Sequence, residues 1–213
     1  MKEITGQVFS IAENNRPVPG CTVSRCINNS TMYFSLAKNT DISVEIFPNH
    51  KMLLVCDGDL NVYGRGLNEN LKTGDMIITP KDSSVGMGSK NSAVYTEINI
   101  GENITMSDMI NTGEVFELAN LVPYSEGKIV NMDIVRNEKL KFVIMAFDGG
   151  TALSEHAAPG EAIIFALDGE GIISYEGKEF TIRAGENFCF AKGGMHSVRA
   201  ETGFKMALLL TLE

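Results

Sequence analysis

A chain of 213 residues can form one large domain or two small ones, each able to bury its own core. Hydrophobic residues at 44% and charged residues at 21% are ordinary globular values and exclude wholesale disorder. The net charge of -9 and the pI near 4.9 exclude a nucleic-acid or anionic-membrane partner, because a phosphate surface would repel the chain. The first residues, Met-Lys-Glu-Ile-Thr-Gly, lack the apolar core of a signal peptide, and no apolar run approaches the roughly 20 residues that span a bilayer. Cys21, Cys26, Cys56 and Cys189 form no C-x-x-C arrangement. They are expected to be reduced thiols in a cytoplasmic protein.

Short β-rich runs alternate with turn signals along the chain. Strands are predicted, in order, over Thr31–Leu36, Lys51–Cys56, Met76–Thr79 and Val94–Ile98. They continue over Lys141–Phe147, Ala162–Leu167, Gly171–Tyr175, Glu179–Ile182, Asn187–Ala191 and Lys205–Leu210. Asp57-Gly58, Asp148-Gly149-Gly150, Asp168-Gly169 and Glu176-Gly177 are predicted as the turns between them. Only Ser107–Ile110 and Phe116–Leu121 suit single helical turns. The expected class is all-β, with strands short enough for a sandwich or a barrel.

An internal repeat organises these strands. Pro48-Asn49-His50, the run Lys51 to Cys56 and Asp57-Gly58 reappear as Pro159-Gly160-Glu161, Ala162 to Leu167 and Asp168-Gly169. At the same spacing Thr73-Gly74-Asp75 falls on Ala184-Gly185-Glu186, and Val94–Ile98 on Lys205–Leu209. Upstream, with a slip of register, Val8-Phe9 matches Val115-Phe116. Two divergent copies of one β-unit account for this. The expected division is an N-terminal barrel over 1–100, a linker over 101–113 and a C-terminal barrel over 114–213.

The second copy resembles a cupin, a small jelly-roll barrel, and the whole chain resembles a bicupin: two tandem cupin-type jelly-roll β-barrels with a degenerate first copy. The first cupin motif reads G, five residues, H-x-H, three or four residues, E, then G after six more. Gly150 opens it here, Ser154-Glu155-His156 stands where H-x-H is expected, Glu161 follows, and Gly169 closes it one residue late. In the second motif Gly185, Gly193 and His196 keep their spacing, while Ala191 replaces the proline and Ala200 the asparagine.

The resemblance implies a divalent metal inside the second barrel, with His156, Glu161 and His196 as its ligands. Imidazole nitrogen and carboxylate oxygen suit Zn, Fe, Mn, Ni or Cu. Side chains two apart on a strand share a face, so Ser154 is expected beside His156, where a hydroxyl is a poor ligand. A single histidine in a β-rich domain is ordinarily a hydrogen-bonded structural residue. Here two of only three histidines fall at motif positions beside a carboxylate, which sets metal binding against that reading. Cys189 and Tyr175 read as core packing. In the first copy Glu45 takes the place of His156, His50 that of Glu161 and Val85 that of His196, so no site is expected and His50 reads as an exposed turn residue.

Three functions remain. One is a bicupin whose C-terminal barrel binds a divalent metal and a small polar molecule, with no reaction nameable and no catalytic residue assigned. The second is a metal-free module that binds or senses a small molecule. The third is a structural or interaction protein. Single cupins commonly pair through exposed sheet edges and faces, so the degenerate first copy reads as a structural, dimer-mimicking domain that covers such a surface. The expected partners are a small-molecule ligand and, where the chain assembles further, a second copy in a homodimer.

Overall fold

A computed structural model describes residues 4–101 and 103–212; Glu102 of the expected linker and the first three residues of the N-terminus lie outside them. The alternating pattern becomes strands almost throughout. They are β1 (Val8–Phe9), β2 (Thr22–Cys26), β3 (Thr31–Leu36), β4 (Thr40–Phe47), β5 (His50–Gly64), β6 (Leu67–Lys72), β7 (Asp75–Ile78), β8 (Ser83–Ser89), β9 (Ala93–Gly101) and β10 (Thr105–Met106). The chain continues with β11 (Val115–Glu117), β12 (Ile129–Arg136), β13 (Leu140–Phe147), β14 (Ala152–Ala157), β15 (Glu161–Tyr175), β16 (Lys178–Arg183), β17 (Asn187–Phe190), β18 (Met195–Arg199) and β19 (Phe204–Thr211). Among the described residues helix is confined to Ile11–Asn14 and a 3-10 turn at Leu118–Asn120, so no helix is long and apolar enough to cross a membrane. Ser107–Ile110 forms no helix.

The strands form a nine-stranded and a ten-stranded antiparallel sheet, each curled into a jelly-roll barrel. The fold is therefore all-β with two cupin-like barrels, as the repeat requires. The paired copies match strand for strand: β5 and β15 are each 15 residues long, and each pairs with its own hairpin partner, β6 or β16. Glu45 lies opposite Val85 in one barrel as His156 lies opposite His196 in the other, each after a bulge.

The Asp-Gly pairs expected as turns lie inside β5 and β15 instead. Register shifts between Val55 and Asp57, and between Ala166 and Asp168, mark bulges that bend each long strand from one sheet into the next. Gly58 and Gly169 adopt positive φ (81° and 72°), and a Cβ on either would overlap a neighbouring strand's carbonyl oxygen, at Ser92 and Gly203. Close backbone approach, not chain reversal, selects glycine there. Glu176-Gly177 is a true two-residue hairpin turn, with φ of 50° and 74°.

The compact units depart from the expected division at their ends. One unit comprises Ile11–Ile104 with Asp108–Glu117, the other Met1–Ser10 with Thr105–Ser107 and Leu118–Glu213. The first strand of each copy thus completes the sheet of the other. Val8 and Phe9 of β1 pair with Phe188 and Asn187 of β17, and Val115–Glu117 of β11 pairs with Ile77–Asp75 of β7.

Each unit has its own apolar interior. The N-terminal barrel is filled by Leu53, Val55, Leu60, Val62, Ile77 and Tyr95, among others. Here the ring of Tyr95 stacks on Phe34 at 5.1 Å. In the C-terminal barrel Ala162, Ile164 and Ala166 of β15 face Phe188, Phe190, Val198 and Met206. Aromatic rings pack in mutual contact through this interior, Phe147 against Phe204 at 5.9 Å and Phe188 against Phe190 at 5.1 Å.

Candidate functional site

Antiparallel pairing of β14 with β18 brings the two C-terminal histidines together. His156 lies directly opposite His196, with ring centroids 4.2 Å apart. The bulge between Leu153 and His156 breaks the simple alternation, so these two residues both face the inner side: Leu153 packs on the core and His156 meets His196. The expected pairing of Ser154 with His156 on one face therefore does not follow from strand alternation; what Ser154 supplies is its carbonyl, which accepts a 2.8 Å hydrogen bond from His156 Nδ1.

His196 is 7% exposed, and its ring stacks on Phe190 with centroids 4.1 Å apart and planes 27° from parallel. Its Nδ1 donates to the carbonyl of Gly194 at 3.2 Å. A carbonyl only accepts, so each Nδ1 carries a proton, which in the neutral tautomer leaves the Nε2 lone pair free. Burial holds His196 below the usual histidine pKa; the Gly194 hydrogen bond opposes that shift, and the neighbouring His156 adds to it. Burial thus favours the neutral form of this ring.

A pH dependence follows. The folded pKa is depressed, so the unfolded chain takes up the proton first. This part of the stability is complete above about 6.5 and is lost as the pH falls through the lower folded value. Thermal melts from about pH 7.5 to 5 should therefore fall less steeply in His196→Gln than in the native chain. An equal slope in the two proteins would contradict the assignment.

Around the pair, Tyr175 lies against Phe188 and Phe190, at 5.7 and 5.5 Å. Its hydroxyl accepts the backbone N–H of Ala191 at 3.3 Å. This contact uses an N–H that the proline of the cupin motif would lack, so alanine at 191 has a structural role. Gly194 is equally constrained, since a Cβ there would stand 2.6 Å from the Tyr175 ring. Tyr175 is core packing, as expected. Cys189 is fully buried, and burial first, then the charge of Glu161, pushes its thiol up to about 12. It is an inert core residue.

Glu161 does not join the histidines. It is exposed at the first position of β15, where it pairs with Thr211, on the strand face opposite to that of Ala162 and Ile164. The next residue, Ala162, is the one that faces inward, directly opposite Phe190. Counting back from Gly169 by the motif's own spacing also lands on Ala162. The late closing glycine was the available signal: a slip of one residue moves a side chain to the other face of the strand.

A resident divalent metal would need donors that converge on one point. The backbone carbonyls that fix both imidazoles are the kind of second contact that orients histidine ligands. Yet two imidazoles fall short of the three protein donors usual for Zn or Fe sites. Among the described residues no group of three His, Cys, Asp or Glu side chains is placed to hold one ion. The residues present therefore do not fit a three-ligand metal centre.

In the N-terminal barrel His50 is not an exposed turn residue. It opens β5, is half-buried, and its Nδ1 donates to the Thr79 carbonyl at 2.8 Å. Lys51, the counterpart of Ala162, binds Glu97 at 2.5 Å, and its ammonium sits 3.5 Å above the centre of the Phe47 ring. An ion pair thus occupies the end of this barrel, a feature that inspection of the sequence did not single out.

Two jelly-roll barrels, the second with an exposed His156 set against a buried His196, define a class that the comparisons then identify. The cupin domain family matches residues 143–212. The fold is similar over 97% of both chains to a cupin 2 conserved barrel domain protein from Leptotrichia buccalis, at 25% identity and a TM-score of 0.84. A salicylate 1,2-dioxygenase from Pseudaminobacter salicylatoxidans is similar at 11% identity and a TM-score of 0.70, over 98% of this chain and 85% of that one. Protein Ylba from E. coli is similar at 10% identity and 0.64, over 96% and 89%. No curated protein matches the sequence. The cupin family is thus shown for the C-terminal barrel, and the full-length likeness extends the cupin-like fold to both barrels.

Proposed function

We propose that this bicupin binds a small polar molecule at the His156–His196 pair of its C-terminal barrel, without a resident metal. The observation that carries this reading is the inward placement of Ala162 and the outward placement of Glu161, which leaves two imidazoles and, among the described residues, no third side chain grouped with them to hold a metal. The pair still has recognition chemistry. Each Nε2 accepts a hydrogen bond from a ligand hydroxyl, amine or carboxylic acid, and the Phe190 ring supplies an apolar wall. The likeness to a salicylate dioxygenase, at 11% identity, concerns the fold alone and carries no oxygen chemistry across. Four unpaired cysteines support a reducing, cytoplasmic location.

The test combines elemental analysis with ligand-induced thermal shifts. Untagged protein purified without chelator should contain far less than one metal ion per chain. Within a panel of small hydroxy acids, amines and polyols, the compounds that raise the melting temperature should lose that effect in His196→Gln. A stoichiometric metal that disappears in His156→Ala would overturn the reading in favour of the metal-binding alternative. Shifts that persist unchanged in His196→Gln would place binding elsewhere.

A further inference from the structure

We infer that Ala162 and Phe190 are the two residues that keep a metal out of the C-terminal barrel, and that one donor at either position completes a three-ligand site with His156 and His196. This rests on the metal-free reading above and extends it to named positions.

The geometry is local. Phe190 and Ala162 are directly opposed on β17 and β15, and both belong to the interior cluster. The Phe190 ring lies 4.1 Å from that of His196, which lies 4.2 Å from that of His156. An imidazole at 190 would therefore stand beside His196 at the spacing the existing pair already shows. Directly opposed residues of an antiparallel pair have Cβ atoms about 4.5–5.5 Å apart, so a glutamate at 162 reaches the same space from the neighbouring strand. In the native chain an aromatic ring fills that space and a methyl group faces it. Strand alternation turns the motif carboxylate, Glu161, to the other face, and the Glu176 carboxylate is taken up by the backbone N–H of Met195 at 2.7 Å.

The N-terminal barrel supports the same conclusion independently. Its counterpart of Ala162 is Lys51, with an ammonium held by Glu97. That group cannot ligate while protonated, and its charge repels a cation. Both barrels thus place a residue that cannot bind metal at this strand position, by different chemistry.

The experiment is a Co2+ titration of chelator-treated, untagged full-length protein, followed by calorimetry and by the visible absorption of the bound ion. It compares the native chain, Phe190→His, Ala162→Glu, and each variant combined with His156→Ala. The native chain should show no saturable tight site. Phe190→His and Ala162→Glu should each bind one Co2+ per chain roughly a hundredfold more tightly than the native chain, a gain of about 2.7 kcal/mol that His156→Ala removes.

The failures are distinguishable. Tight Co2+ binding by the native chain that is lost in its own His156→Ala variant would sink both the metal-free reading and this inference. No gain in variants that retain the native circular dichroism and a cooperative melt would overturn the inference and leave the metal-free reading standing. A gain at one position alone overturns the claim for the other. Phe190→His replaces one planar ring by another of smaller size, so it keeps the test decisive if a buried glutamate at 162 prevents folding.

Discussion

Glu97→Ala is expected to destabilise the protein by about 3–5 kcal/mol, because it leaves the ammonium of Lys51 buried without its partner. The two side chains are only 15% and 8% exposed and meet at 2.5 Å. Solvent screening, which makes most surface ion pairs nearly worthless, is weak at such a site. The Phe47 ring beneath the ammonium offsets only part of the loss, since a cation–π contact contributes about 0.5–2 kcal/mol. The environment is demanding in other ways: Tyr95 is buried nearby, its hydroxyl has no partner among the described residues, and burial followed by the Glu97 charge raises its pKa. Converting the pair to an apolar one, as Lys51→Met with Glu97→Leu, should cost little or even stabilise, because both desolvation penalties vanish together. Urea unfolding of the full chain checks both expectations. A loss below about 1 kcal/mol for Glu97→Ala would mean that the pair is effectively solvated.

That contrast bears on why the first copy has lost a site. Its counterpart of the His156–His196 pair is Glu45 opposite Val85, and its counterpart of Ala162 is ion-paired. The barrel end has become a structural closure. The ion pair holds the charged ends of Lys51 and Glu97 to each other.

Much of the architecture was legible in the sequence because β-strands write their burial as alternation, and because the two copies repeat it. Leu53, Val55 and Tyr95 against Ile164, Ala166 and Met206 show the same inward pattern. Glycine was the ambiguous signal. Asp57-Gly58 and Asp168-Gly169 suit a hairpin turn as well as a bulge, and only the neighbouring carbonyls of Ser92 and Gly203 distinguish them. The helix Ile11–Asn14 spans four residues and carries no period to read. At the site, the meeting of His156 with His196 was visible from motif spacing. The position of Glu161 was not, since motif matching tolerates a one-residue slip that a pleated strand does not. Strand exchange was hidden for a different reason. Val8-Phe9 and Val115-Phe116 are recognisably equivalent, but a local pattern does not specify which sheet edge a strand joins.

The exchange has a large consequence for fragments. Residues 105–213 expressed alone are expected to be aggregation-prone, although they contain the whole cupin-matched region. They lack β1, so β17 loses the partner that pairs with Phe188 and Asn187, and Cys189 loses the Gly6 N–H that its carbonyl accepts at 3.0 Å. The strand so exposed reads Asn-Phe-Cys-Phe, an apolar edge with open backbone donors and acceptors, which is a template for intermolecular pairing. Residues 1–104 alone lack β11 and expose the Asp-Met-Ile-Ile strand in the same way. Each half nevertheless carries the strand the other needs. Co-expressed, the two fragments should copurify as a stoichiometric complex, whereas each alone should elute as aggregate or fail to accumulate. Size-exclusion chromatography with light scattering provides the check. A monodisperse 105–213 fragment that melts at the temperature of the full chain would show that β1 contributes little and that each copy folds without the other's first strand.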